Sequence, residues 1–405
     1  MPNRSKPSRS GRARALALGL GLVLAAGIGA VAWKLRDATV VHDSNVAKAE
    51  LIAALTTRQL APRGLEFDPT ARATTPPIER LRLGPEEMHA VFADFPNMEF
   101  DPVCYYRFRG GLEERWEFPE LPKGFWTRRT NSTGAREDHE FARDALDTFV
   151  LAIGDSHTEG LCDNADSWPN RLEVELTTRR PGARIEVYNT GTSSYSLFHY
   201  WGVLEKFLPQ RPDCVIVCMY GGNDFIETLR PFAFQRGVPL PPRPEGYFAE
   251  LVETLDMGEG PLLQGLNQAL FFRDHPEQRD IALTAACATI DGIRRLCEAQ
   301  RVPWIAVYVP SIFDLPFDAW AGVRARAKEK LALSDDDLAA ANRLADALLA
   351  RTRTSGVTWL DLREHLALDR RWYWSELHLN LDANALLAQR LAPLVGELAL
   401  GGPNR

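Results

Sequence analysis

Over most of its length the chain lacks a surplus of positive charge. Its 405 residues hold 47 Lys and Arg against 54 Asp and Glu, and seven of the bases but none of the acids lie in the first 36 residues. Residues 37–405 therefore carry 40 bases against 54 acids. Binding to nucleic acid rests on a clustered basic face, so this body is not expected to have a DNA or RNA partner. Cysteine is also scarce: there are six, and no two stand in a C-x-x-C spacing, which argues against a zinc site. Cys214 and Cys218 in one strand-like run, and Cys287 and Cys297 in one helical stretch, are too far apart to bridge. Cys104 with Cys162 is a possible pairing in an oxidising compartment, but no disulfide is expected. No repeat or low-complexity tract appears. With 45% hydrophobic and 25% charged residues, the composition is that of an ordinary globular protein.

The N-terminus does have a long apolar run. Arg4, Lys6, Arg9, Arg12 and Arg14 precede uncharged residues 15–33, and 19 residues at a helical rise of about 1.5 Å come close to the roughly 30 Å hydrocarbon core. Leading positive charge favours a cytoplasmic N-terminus with the body translocated. The expectation is a single-pass inner-membrane anchor with an extracytoplasmic, periplasmic body. The competing reading is a cleaved signal peptide, because Ala30-Val31-Ala32 is an A-x-A site, although the apolar run exceeds the usual signal core.

Four regions follow from the pattern. Residues 1–36 form the basic tail and anchor. Residues 37–64 read as a helical stalk, with Val46, Ala49, Leu51, Ile52 and Leu55 at near-helical spacing. Residues 65–147 are aromatic-rich and punctuated by Pro and Gly, a small β-rich accessory module with a strand expected near Tyr105. Residues 148–400 alternate short apolar runs with helical stretches. Strands are expected at 148–153, 185–189, 214–220, 304–309 and 357–360. Helices are expected at 168–179, 196–208, 281–300, 335–353 and 382–398. The alternation predicts an α/β fold with a parallel sheet covered on both faces, in which ligands sit beyond the carboxyl ends of the strands.

Those strand ends carry unusual residues. The first opens into Gly154-Asp155-Ser156-His157-Thr158-Glu159-Gly160, which presents the Ser156 hydroxyl between a strand and a helix. The third opens into Gly221-Gly222-Asn223-Asp224, where glycines would let the backbone approach a ligand and Asn223 could aim an amide at a developing oxyanion. His378, in Trp374-Ser375-Glu376-Leu377-His378-Leu379-Asn380, precedes the last helix and is placed to act as a base toward Ser156.

Taken in order, these blocks resemble the SGNH, or GDSL-like, hydrolase family over residues 148–398. Gly154-Asp155-Ser156 resembles its nucleophile block, Gly221-Gly222-Asn223-Asp224 its G-x-N-D block, and His378-Leu379-Asn380 its histidine block. The resemblance implies a flavodoxin-like three-layer fold and an esterase with Ser156 as nucleophile and His378 as base. The oxyanion hole would be formed by the amides of Ser156 and Ser194 and the side chain of Asn223. Asp155 and Asp224 would brace loops, with Gly221 in the second of these turns. No metal or organic cofactor is implied.

Two residues depart from the family pattern. Ser194 stands where a glycine commonly contributes its amide, leaving Gly191 as a turn-former. Ser375 stands where the acid is usual, three residues before the histidine, so Glu376 is the nearest carboxylate and a triad and a Ser-His dyad both remain open. His157 and His199 are further candidates to line the cleft.

The stretch Trp126 to Arg136 resembles one that precedes the nucleophile block in many bacterial members, which suggests a module packed beside the catalytic domain. An insertion over residues 225–280, proline-rich at first and then apolar, reads either as packing on the sheet edge or as a lid. The expected substrate is an ester-bearing glycan or lipid. The alternatives are a catalytically weakened glycan-binding or assembly component at the membrane, and a lipid esterase or acyltransferase.

Overall fold

A computed structural model describes residues 80–92, 96–237, 240–242 and 265–401. All of these fall in one compact unit, Gln59–Arg405. The expected anchor, the stalk and the middle of the insertion lie outside the described residues. Among the described residues no helix is long and apolar enough to cross a membrane.

At the centre is a five-stranded sheet in the order β6-β5-β7-β8-β9, formed by β5 (Thr148–Gly154), β6 (Ile185–Asn189), β7 (Cys214–Tyr220), β8 (Trp304–Val309) and β9 (Trp359–Asp361). Every pairing is parallel. All residues of β5, β6 and β7 are buried, as in a parallel sheet covered on both faces. One face, carrying Val150, Ala152, Val187, Ile216, Cys218 and Val307, packs on α1 (Trp168–Arg179) and α6 (Leu381–Val395). Helix α1 places Trp168, Leu172 and Leu176 four residues apart on its buried side, and Leu387, Leu391 and Val395 do the same for α6. On the other side lie α2 (Leu197–Phe207), α3 (Asp224–Arg236), α4 (Gln278–Gln300) and α5 (Ala340–Arg353), with α4 touching the other three.

Two details of the helices differ from the sequence expectation. The helix expected over 335–353 is two, Asp335–Leu338 and α5, separated by Ala339 with ψ of 4°. Residues expected as an insertion begin with α3, which buries Pro231, and end with helix Asn267–Asp274, which buries Leu270, Phe271 and Phe272. Cys104 and Cys162 are both free and buried, with burial the main cause that pushes each thiol up to about 12.

Residues 98–129 form two antiparallel hairpins, β1 (Met98–Asp101) with β2 (Tyr105–Phe108) and β3 (Glu113–Glu117) with β4 (Phe125–Arg129). The first docks on α2: an added Cβ on Gly202 would fall 2.5 Å from the Val103 carbonyl oxygen, and Lys206 pairs with Asp101 at 2.6 Å. The second is fastened by Asp163, which accepts from the Thr127 amide at 2.8 Å and pairs with Lys123.

Candidate active site

Strand β5 lies between β6 and β7, so the chain leaves its end in one direction to reach β6 and returns past it to reach β7. A crevice opens at such a switch of direction, at the carboxyl ends of the strands. Ser156 stands there as the first residue of the short helix Ser156–Glu159. Asp155 caps that turn, its carboxylate accepting the His157 amide at 2.9 Å. Burial is the main cause that raises the Asp155 carboxyl to about 7, against the lowering effects of that amide and of His378.

The structure brings three of the expected residues into line. The Ser156 hydroxyl lies 2.7 Å from His378 Nε2, and His378 Nδ1 is hydrogen-bonded to the Glu376 carboxylate. These partners fix the tautomer: Nδ1–H donates to Glu376, leaving Nε2 to accept from the serine. Both Ser156 and His378 are buried, at 6% and 8% exposure, so their bonds are little screened by water. Burial lowers the affinity of the imidazole for a proton, but the charge and hydrogen bond of Glu376, with Asp155 and Glu159 behind, outweigh it and raise His378 above 6.5. His157 stacks 3.7 Å from Tyr220 and 4.8 Å from His378, so it walls the imidazole.

The short spacing from Glu376 to His378 depends on an unusual backbone. Leu377, between them, has φ of +75°, a left-handed conformation that costs a non-glycine residue about 1–2 kcal/mol. A tight turn imposes it. The Trp374 amide donates to the His378 carbonyl at 2.8 Å, the Leu377 amide donates to the Trp374 carbonyl at 3.0 Å, and Tyr373 bridges Leu379. The fully buried Leu377 side chain anchors the turn from inside. The turn swings the Glu376 carboxylate back to the imidazole, a reach that residue spacing alone did not reveal.

Ser194 adopts φ of +62°, the region that favours glycine, where the family usually has one. Its loop is held by the Tyr106 hydroxyl, which donates to the Ser194 carbonyl at 2.9 Å. Gly191 has an Asx-type turn, its amide donating to Asn189 Oδ1 at 3.0 Å, but the demand for glycine comes from packing. A Cβ there would fall 2.1 Å from the Glu159 nitrogen. A Cβ on Gly221 would fall 2.1 Å from the Tyr308 hydroxyl, and one on Gly222 would fall 2.3 Å from the Tyr220 ring, so packing alone demands glycine at both positions. Asn223 is buried at the start of α3, where its Oδ1 has no hydrogen-bond partner among the described residues. Asp224 accepts from the Tyr220 amide at 2.8 Å and from the Tyr200 hydroxyl at 2.9 Å, bracing the turn. His199 lies away from this chemistry. It accepts the Ser196 amide at 3.0 Å amid Phe92, Tyr105, Tyr106 and Tyr195, where burial holds it well below its usual value.

Sequence reading gave Glu159 no role. It is fully buried, pairs with Arg128 at 2.8 Å and Arg136 at 3.4 Å, and accepts from the Ser193 hydroxyl. Arg136, itself fully buried, also donates to the carbonyls of Gly160 and Cys162. One carboxylate thus joins the turn after Ser156, the loop before Ser194 and the hairpin segment. An acid three residues after a candidate nucleophile, with two arginines in the preceding stretch, was the available signal.

Glu137, His139 and Glu186 are a group among the described residues whose donor atoms could hold a metal ion, lying within 4.8 Å of one another. His139 pairs with Glu186 at 2.8 Å, and Glu137 already accepts from the Asn189 amide and from Asn170.

The model of the GDSL-like lipase/acylhydrolase family matches residues 152–386, more than half of the chain. The chain belongs to that family. As a member it is an ester hydrolase, with the parallel α/β sheet described above. No curated protein matches it in sequence. A lipase/acylhydrolase from Enterococcus faecalis is similar at 12% identity and TM-score 0.37, over 64% of this chain and 99% of that one. A catalytic mutant of an acetylxylan esterase from Geobacillus stearothermophilus is similar at 12% identity and TM-score 0.35, over 63% and 97%.

Proposed function

We propose that this family member is a serine esterase in which Ser156 attacks the ester carbonyl, His378 takes its proton and Glu376 orients the imidazole. The single observation that supports this reading is the continuous hydrogen-bonded line from Glu376 through His378 to the Ser156 hydroxyl. Attack would place negative charge on the former carbonyl oxygen, received by the amides of Ser156 and Ser194 and the side chain of Asn223. The imidazolium returns its proton to the departing alcohol, leaving an acyl-serine. Water, deprotonated by the same imidazole, then releases the acid and restores the serine. Each step uses the chain's own residues.

The substrate we infer is an acyl or acetyl ester on a surface polysaccharide or another extracytoplasmic carrier. Support comes from residues 15–33, whose length and preceding bases suit an anchor that would hold the catalytic domain of residues 148–400 outside the cytoplasm. The accessory segment 65–147 would sit beside the site. A weakened glycan-binding component was suggested by Ser375, and it loses that motive because Glu376 meets His378. The test is hydrolysis of short-chain p-nitrophenyl esters by the full chain and by Ser156→Ala. Loss of turnover in a folded variant is the expected result, and unchanged turnover would remove Ser156 from the mechanism.

A further inference from the structure

The turn that carries His378 is gripped from outside by the β3–β4 hairpin. The Glu120 carboxylate, in the connection between those strands, accepts from the Ser375 amide at 2.8 Å and from the Ser375 hydroxyl, and pairs with Arg371 at 2.7 Å. Beside it the Phe118 ring meets Trp374 edge-on at 5.5 Å. The connection is shaped by its own bonds, the Phe118 amide donating to the Gly124 carbonyl at 2.7 Å and the Leu121 amide to the Phe118 carbonyl at 3.0 Å, and its far end is fixed by Asp163. Contact is thus made from 255 residues earlier in the chain, at the residue directly before Glu376.

We propose that Glu120 is a positioning residue: by holding Ser375 and Arg371 it keeps the strained turn at Leu377 closed, and so keeps Glu376 on His378. This proposal rests on the catalytic reading above. It explains what Ser375 does at the position where the family usually has its acid. A carboxylate at 375 would face Glu120, whereas a serine offers it two donors. The orienting acid accordingly stands one residue later, and the left-handed Leu377 brings it back.

Glu120 acts through Glu376, so its signature is a titration as well as a rate. The groups around His378 are Glu376 on its own turn, Asp155 and Glu159 from the Ser156 turn, and the stacked His157. Only the first changes place when Glu120 is lost. In Glu120→Ala the His378 imidazole, followed by NMR and assigned with His378→Ala, should titrate at lower pH than in the wild type. The acid limb of kcat/KM should move with it. The kcat should fall about ten- to a hundred-fold with KM little changed. Glu120→Gln, which keeps an oxygen for the Ser375 amide, should show a partial effect and serves if the alanine variant does not fold. Glu117→Gln, on the same hairpin, is the unaffected control.

An unchanged His378 titration in both Glu120 variants overturns the proposal, as does a wild-type kcat in Glu120→Ala. A wild type inert to esters would instead overturn the catalytic reading, and the NMR titration would still decide the role of Glu120.

Discussion

The two halves of the site are held in different ways. Ser156 lies at the end of a fully buried central strand, in a turn capped by its own neighbour Asp155 and surrounded by sheet residues. His378 lies on a short turn between β9 and α6, closed by three local backbone contacts and by a carboxylate from a distant hairpin. The serine half owes its geometry to the parallel core. The histidine half owes it to a strained residue and a long-range contact, so it should fail more gradually and through more residues.

The largest expected effect sharpens that contrast on the histidine side. Glu376→Gln leaves a hydrogen-bonding side chain but removes the charge that raises His378, and kcat should fall about 10²- to 10⁴-fold. The sign in pH is also set. Since the base must be neutral, activity rises with pH through the His378 value, which Glu376 holds above 6.5; in Glu376→Gln that limb should shift toward lower pH. A dyad without an orienting acid would leave both kcat and the limb near the wild type.

Next comes the serine side. Glu159→Ala strands Arg136, which is fully buried, and removes a shared support of the Ser156 and Ser194 loops. Loss of one partner of a buried ion pair destabilises by about 3–5 kcal/mol, measurable as a lower midpoint in denaturant. An effect confined to activity would show that the network orders the loops without carrying the fold. The smallest effect belongs to Ser194→Gly. At φ of +62° glycine relieves about 1 kcal/mol of backbone strain while keeping the amide, so stability should rise slightly and turnover should persist. A large loss of activity would mean that the Ser194 side chain does chemistry.

The same contrast explains what could be read from the chain. Strands 214–220 and 304–309 and the helix at 168–179 are found where continuous apolar runs and four-residue spacing put them, because burial on two faces is a local property of sequence. Ser156 and His378 were legible by position, as residues at strand and helix ends. Glu120 was not, since its partners lie on another segment and nothing local marks it, and Glu159 was marked only by its place three residues after Ser156. The break at Ala339 was missed because acidic residues 335–337 suit both a capping turn and a continuing helix. The packing demand for glycine at 221 and 222 was not legible, because it comes from the side chains of Tyr308 and Tyr220, which fold back over those positions.

The central claim is that Ser156 is a nucleophile activated by His378, and covalent capture tests it most directly. Incubation of the full chain with a fluorophosphonate, followed by peptide mass spectrometry, should place one adduct on Ser156 in the wild type and almost none in His378→Ala. An adduct on another residue, or labelling of Ser156 at an equal rate without His378, would contradict the account.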